Sequence, residues 1–204
     1  MYKYKVSVII PVYNQEKLVI KAIESVPTRD DIEILVIDDA STDNTYKNVQ
    51  DYANEHLDKN IIILSNSENK GVAYTVNKGY DNASGEYLVL LGSDDDFYTD
   101  KFIEIMQQLD GTDLIYFNLQ INNGDVWQLT NDNKGFCCGS VKFMRKEFVG
   151  NTRNPLNAPA GEDYYFYCEL LSKSPSEKFT DITVKHYNYP RENSLSNLRS
   201  KGVI

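Results

Sequence analysis

Apolar runs and amphipathic stretches alternate through the first half of the chain. Short apolar runs bounded by turn residues predict buried strands, and apolar residues spaced by three and four positions predict helices. The predicted strands cover residues 5–12, 32–37, 61–64 and 86–91, and the predicted helices cover residues 16–26, 46–57, 71–83 and 99–109. Strands that alternate with helices favour an α/β fold with a Rossmann-like, mostly parallel sheet flanked by helices.

This alternation ends near residue 110. The ranges that follow are predicted strands at residues 114–121, 126–130, 136–144 and 179–189 and a predicted helix at residues 162–173. The first two of these strands flank the turn sequence Asn122-Asn123-Gly124, so we expect them to pair antiparallel. We therefore expect a single domain with two halves, residues 1–110 and residues 111–204, of which the second includes a small antiparallel part.

Three adjacent carboxylates, Asp94, Asp95 and Asp96, come directly after the predicted strand at residues 86–91. Like charges at the end of a buried strand are costly unless a cation is present. Mg²⁺ and Mn²⁺ prefer oxygen ligands and are often held by one or two carboxylates together with substrate phosphates. The segment predicts a metal–phosphate site, and the alternative is a solvated acidic turn before the next helix.

Four loops follow the carboxyl ends of the predicted parallel strands, where open α/β sheets bind their ligands. They are residues 11–14, 38–41, 66–71 and 92–96. A carboxylate at Asp38 or Asp39 could accept the imide N–H of a pyrimidine base, and Tyr13 could stack on that base. The alternative is that both aspartates only stabilise local turns. The first strand is followed by neither GxGxxG nor a P-loop, so dinucleotide binding of the Rossmann type loses its main support.

Another acidic pair, Glu162 and Asp163, falls at the predicted start of a helix. Acids are common in the first helical turn because the helix dipole favours them there. The functional alternative is a general base that is held by a rigid helix and directed at a substrate hydroxyl. The position alone favours the first interpretation, two acids in the first turn of a helix.

Composition narrows the possible partners. The net charge of −9 disfavours non-specific binding to nucleic acid. Three cysteines, two of them adjacent, show no zinc-ligand spacing and suit a reducing cytoplasm. No apolar run approaches the roughly 20 residues of a transmembrane helix. We expect a cytoplasmic protein without an integral membrane segment, whose contact with a membrane would be peripheral.

Five strings, in this order, resemble the inverting family-2 glycosyltransferases with the GT-A fold. They are SVIIPVYN at residues 7–14, ILVIDDASTDNT at 34–45, NKGVAYTVNKG at 69–79, ASGEYLVLLGSDDDF at 83–97 and GEDYYFYCELL at 161–171. The resemblance implies transfer of a sugar from a nucleotide sugar, usually a UDP-sugar, to an acceptor hydroxyl with inversion at the anomeric carbon. It also implies a divalent cation, Mn²⁺ or Mg²⁺, as cofactor.

The family pattern assigns roles to individual positions of this chain. The nucleotide-binding positions that it implies are Pro11, Val12, Tyr13, Asp39, Asn69, Gly71 and Asp94. Asp94 matches the closing aspartate of the metal-binding Asp-x-Asp, and Asp163 matches the catalytic base. Asp95 matches an adjacent acid, and Glu162 and Arg191 are possible supporting residues, Arg191 within a late segment similar to one that covers the diphosphate.

Two positions depart from the family pattern. Gly92 stands where the family usually has the first aspartate of Asp-x-Asp, although Asp96 forms a shifted Asp-x-Asp with Asp94 and is a second predicted metal ligand. Thr75-Val76-Asn77 replaces the family's Ala-Arg-Asn, so a commonly basic position is apolar.

The predicted function is therefore metal-dependent sugar transfer in the synthesis of a polysaccharide or glycoconjugate, with a glycan or lipid-linked acceptor. Residues 1–110 would bind the nucleotide sugar, and residues 111–204 would bind the acceptor and supply the base. The alternative is a non-catalytic nucleotide-sugar-binding module, which Gly92 favours. A sugar nucleotidyltransferase is less favoured because residues 11–15 are neither glycine-rich nor basic. The sequence leaves open the sugar, the acceptor, the linkage and the oligomeric state.

Overall fold

A computed structural model describes residues 2–135, 139–158 and 161–190. The strands in these ranges are β1 (Tyr4–Val12), β2 (Ile32–Asp38), β3 (Asn60–Ser65), β4 (Gly85–Leu90), β5 (Asp96–Phe97), β6 (Leu114–Ile121), β7 (Val126–Trp127), β8 (Lys142–Arg145) and β9 (Glu177–Tyr187). The helices are α1 (Val19–Ser25), α2 (Thr45–Glu55), α3 (Val72–Asn82), α4 (Thr99–Met106), α5 (Lys146–Val149) and α6 (Glu162–Ser172).

The described strands form one sheet in the order β3-β2-β1-β4-β8-β6-β9-β5, with β7 paired to β6. The first four strands in this order are parallel. Every residue of β2 is buried, as is typical of a central strand covered on both faces. The carboxyl ends of β1, β2 and β4 therefore lie at one edge of the sheet, which is where the loops of interest begin.

The second half of the sheet has mixed strand directions. Antiparallel pairing joins β8 to both β4 and β6, and β9 runs parallel to β6. The short strand β5 pairs antiparallel with the end of β9, with Asp96 opposite His186 and Phe97 opposite Lys185. This pairing brings the acidic loop that follows β4 against the carboxyl-terminal end of β9.

The α/β class with its mostly parallel sheet is confirmed, and so is the antiparallel pairing of β6 with β7. The sequence missed β5 and α5, because a strand of two residues and a helix of four residues carry no periodic pattern. Of the strand expected at residues 136–144, residues 142–144 lie in β8, residues 139–141 form a turn and bend instead, and residues 136–138 lie outside the described ranges. β4, before residue 110, pairs directly with β8, after it, so the two halves share one sheet. The assignment of separate roles to the two halves stays a prediction.

Candidate active site

The loops after β1 and β2 are joined by hydrogen bonds at the sheet edge. The Asp39 backbone N–H donates to the carbonyl oxygen of Val12 over 2.8 Å. The Asn14 N–H donates to Ser41 Oγ over 2.9 Å. Tyr13 lies between these contacts with 43% of its surface exposed, so its ring is available to a ligand.

Asp39 connects the same edge to the loop before α3. Its Oδ1 accepts from Asn66 Nδ2 over 2.7 Å and from the Lys70 N–H over 2.8 Å, and its Oδ2 accepts from the Gly71 N–H over 2.8 Å. Gly71 has φ of +82°, a conformation that favours glycine, and the side chain of Asn69 also accepts from its N–H. Asp39 thus holds the loop in place, and its predicted contact with a base stays a prediction.

The three acids after β4 have different surroundings. Asp95 is buried, and its Oδ2 lies 2.7 Å from Lys185 Nζ while its Oδ1 accepts from the Asn188 N–H over 2.9 Å. Burial raises the pKa of Asp95, and the Lys185 ammonium opposes that shift. Asp96 Oδ2 lies 2.7 Å from Lys21 Nζ and 3.0 Å from His186 Nδ1.

Gly92 lies directly against two of these carboxylates. A Cβ added at Gly92 would lie 2.7 Å from Asp95 Oδ2 and 3.0 Å from Asp94 Oδ1. Both oxygens therefore face the position that the family pattern assigns to an aspartate. The space that a longer side chain would need is occupied.

No group of three or more His, Cys, Asp or Glu side chains within the described ranges is arranged to hold a metal ion. Asp95 is paired with Lys185, and Asp96 is paired with Lys21 and His186. A cation held at this loop by Asp94 would need donor phosphates as further ligands, a common arrangement for Mg²⁺. The metal-binding roles of Asp94 and Asp96 stay predictions.

Asp163 is the second residue of α6, and its position is set by close packing. Its Oδ1 accepts from the Tyr164 N–H over 3.0 Å. A Cβ added at Gly139 would lie 3.2 Å from Asp163 Oδ2, so a side chain there would press this carboxylate aside by a few tenths of an ångström. On the inner side of α6, Phe166 stacks on Tyr80 of α3 with 5.3 Å between ring centroids. Arg191 lies outside the described residues, and the supporting role of Glu162 stays a prediction.

Lys185 is the residue that sequence reasoning missed. It is 1% exposed, and its ammonium contacts both Asp95 Oδ2 and, over 2.7 Å, Ser140 Oγ. Ser140 follows Gly139, the residue that packs on Asp163. Lys185 therefore connects the acidic loop to the segment beside the predicted base. Three adjacent acids indicate that a cation lies nearby. The sequence does not show that Lys185 is that cation, because the contact depends on the pairing between β5 and β9.

Comparisons with solved structures identify the type of fold. The S. aureus protein TarS (residues 1–349), solved in complex with UDP-GlcNAc, superimposes with a TM-score of 0.81 at 21% identity over 94% of this chain and 60% of that one. The mannosyltransferase PcManGT from Pyrobaculum calidifontis, solved with GDP-Man and Mn²⁺, superimposes with a TM-score of 0.73 at 20% identity over 95% of this chain and 59% of that one. The fold is therefore of the GT-A glycosyltransferase type.

The sequence profile described as Glycosyl transferase family 2 matches residues 7–163. This match covers more than half of the chain, and the chain belongs to that family. An Escherichia coli relative, "UDP-Glc:alpha-D-GlcNAc-diphosphoundecaprenol beta-1,3-glucosyltransferase WfgD", is 32% identical over 189 residues, or 84% of this chain and 71% of that protein. The chain spans only 16% to 34% of the length of three other curated relatives that it matches. In the described residues, no helix is long and apolar enough to cross a membrane.

Proposed function

We propose that this protein transfers a sugar from a nucleotide sugar, most simply a UDP-sugar, to an acceptor hydroxyl with inversion. The observation that carries the proposal is the run of contacts from Asp95 through Lys185 and Ser140 to the segment beside Asp163. It connects the acidic loop, where a diphosphate would lie, to a carboxylate at a helix N-terminus. A binding module has no need for this second carboxylate.

The donor would lie along the sheet edge. Tyr13 stacks on the base in this proposal, and Asp39 supports the surrounding loops and accepts the imide N–H. Pro11, Val12, Asn69 and Gly71 shape the nucleoside pocket, and Asp94 faces the diphosphate. A divalent cation bound at Asp94 would neutralise charge on the leaving diphosphate.

Asp163 would act as the general base. Its Oδ2 takes the proton of the acceptor hydroxyl while that oxygen forms a bond to the anomeric carbon. The bond from the anomeric carbon to the diphosphate oxygen breaks on the opposite face, and its electron pair leaves with the nucleoside diphosphate. Attack and departure on opposite faces give inversion.

A glycan attached to a lipid diphosphate is the acceptor class that we propose. Its support is the name of the E. coli relative, which describes an undecaprenol-linked acceptor. An acceptor of this kind would bring the protein to a membrane surface as a peripheral partner.

The variant Asp163→Asn tests the role of the base, because it keeps the size of the side chain but removes its proton affinity. We expect transfer and slow Mn²⁺-dependent release of UDP to fall by about 10²- to 10⁴-fold, with UDP binding measured by calorimetry within about twofold of the native protein. The matched control is Asp100→Asn, an exposed acid at the second position of α4, which should leave both quantities unchanged. Equal loss of binding and turnover would refute the assignment.

A second candidate is a nucleotide-sugar-binding module without catalysis, favoured by Gly92 and by the pairing of Asp95 and Asp96 with basic side chains. The same measurements separate the two. Binding of a UDP-sugar with no release of UDP at any Mn²⁺ concentration would identify the module. Release of UDP from one sugar of a donor panel would identify the transferase and its donor.

A further inference from the structure

Three aromatic side chains form a cluster where β7 and β9 end. Tyr187 and Tyr189 stack with 5.4 Å between ring centroids and 7° between ring planes. Trp127 lies 6.3 Å from Tyr187 and 6.1 Å from Tyr189, with its ring inclined to both. We call these three residues the aromatic platform. Trp127 is 38% exposed, so the platform presents aromatic surface to solvent.

Strand register places the platform on the face of the sheet that carries Lys185. Leu119 of β6 is opposite Trp127 on one side and Lys185 on the other, and Ile121 is opposite Tyr187. Since residues opposite each other point to the same face, the cluster and Lys185 share that face. The platform therefore lies on the same side of the sheet as the contact between Lys185 and the acidic loop.

The platform lies directly beside the acidic loop. Lys185 Nζ is 5.4 Å from the centroid of the Tyr187 ring and 2.7 Å from Asp95 Oδ2. Asn188, between the two tyrosines in sequence, donates its backbone N–H to Asp95 Oδ1. A ring seated on the platform would thus lie next to the loop where the donor's diphosphate is proposed to bind.

The surroundings of the platform suit a sugar. Amides border it: Asn122 Nδ2 donates to Asn188 Oδ1 over 3.1 Å and to the Pro190 carbonyl oxygen over 3.3 Å. Aromatic faces pack against the C–H groups of a pyranose, while amides exchange hydrogen bonds with its hydroxyls. A nucleobase is a poorer candidate, because four strands separate β9 from β2, whose loop carries Asp39.

We propose that the aromatic platform binds a pyranose ring of the acceptor, and this inference rests on the proposed transfer to a glycan. The platform would hold the sugar by stacking, so that the hydroxyl to be modified faces the reacting centre between the acidic loop and Asp163. Trp127 is then a determinant of acceptor binding and has no part in holding the donor.

Trp127 is the single tryptophan of the chain, so its fluorescence reports on the platform directly. The probes are the methyl β-glycosides of glucose, N-acetylglucosamine and galactose, titrated into the full chain in the presence of UDP and Mn²⁺. We expect at least one of them to change the emission saturably. No saturable change with any glycoside would overturn the inference, and so would emission that follows protein concentration alone, because the platform would then be a contact between copies.

Substitutions separate stacking from a structural effect. We expect Trp127→Ala to weaken calorimetric binding of the responsive glycoside about tenfold and Trp127→Phe to restore most of it, with UDP binding unchanged. The control is Tyr46→Ala, which removes an aromatic ring of similar exposure from α2. Equal glycoside binding by Trp127→Ala and Tyr46→Ala would overturn the inference.

The two proposals fail in different ways. Glycoside binding at Trp127 without any UDP binding or turnover would refute sugar transfer and keep the platform as a glycan site. Turnover with an acceptor KM that Trp127→Ala leaves unchanged would refute the platform and keep the transferase.

Discussion

Gly92 shows how one residue limits the chemistry of its neighbours. The Asp95 carboxylate next to it cannot easily move away, because Lys185 and the Asn188 N–H hold both of its oxygens. Breaking a buried ion pair of this kind typically costs several kcal/mol. Glycine at position 92, where the family usually has aspartate, therefore fits the space that Asp94 and Asp95 leave.

Restoring the family residue should not restore a metal site. We expect Gly92→Asp to lower the melting temperature and to leave Mn²⁺-dependent UDP binding weaker or unchanged, because the new side chain meets Asp95 and Asp94 at once. Calorimetry across a range of Mn²⁺ concentrations measures the second quantity. Gly135→Asp is the matched control, since no heavy atom of the described residues lies within 4 Å of a Cβ placed there. Tighter Mn²⁺-dependent binding by Gly92→Asp would contradict this reading.

Individual residues differ in how far the sequence predicts them. Asp39 and Asp94 follow apolar strands, so their place at the sheet edge could be predicted from the pattern. Lys185 could not, because its partner Asp95 is 90 residues earlier in the chain and the pair forms only through the register of β5 with β9. The aromatic platform depends on the same long-range register.

At the scale of elements, Asp113, directly before β6, forms hydrogen bonds that connect β6, β8 and β9. Its carboxylate accepts from Arg145 at the end of β8 and from the backbone and side chain of Ser176 before β9. Partial burial opposes its ionisation, but the hydrogen bonds from Ser176 and Arg145 outweigh burial and lower the pKa of Asp113. Ionised Asp113 therefore stabilises the fold.

The lowered pKa of Asp113 makes the free energy of unfolding depend on pH in acid. Because the folded pKa of Asp113 is below its usual value near 4, its contribution is complete above that pH and is lost as the pH falls through the folded value. We expect Asp113→Asn to lower the free energy of unfolding at pH 7 by about 1 to 3 kcal/mol. The free energy of unfolding of the variant should also fall less between pH 7 and acid pH than that of the native protein. Urea unfolding at a series of pH values measures both, with the exposed Asp51→Asn as control. An unchanged acid decline in Asp113→Asn would contradict the prediction.

Regular elements were predicted well because their patterns are local. The strands β1 to β4 are apolar runs with clear boundaries, and α3 has apolar spacing that repeats over eleven residues. The parallel pairing of β9 with β6 was not predicted, because nothing in either strand specifies which distant strand it joins. Pairing partners are set by the whole sheet.

For the whole molecule, the continuous sheet predicts cooperative unfolding. The pairs Tyr87–Arg145 and Leu88–Met144 join β4 to β8 across the proposed boundary at residue 110. We expect Trp127 fluorescence, which reports on the second half, and far-ultraviolet circular dichroism, which reports on both, to give the same urea midpoint. A fluorescence transition at clearly lower urea would show that residues 111–204 unfold separately.

The contacts of Asp39 have a consequence for the speed of donor capture. Three donors from residues 66–71 meet its carboxylate, so the protein's own contacts order the loop beside the proposed nucleoside pocket. A ligand arriving at such a pocket does not have to organise it, and the entropy of ordering the loop is not lost at binding. Encounter, and not rearrangement of this loop, would then limit the association rate.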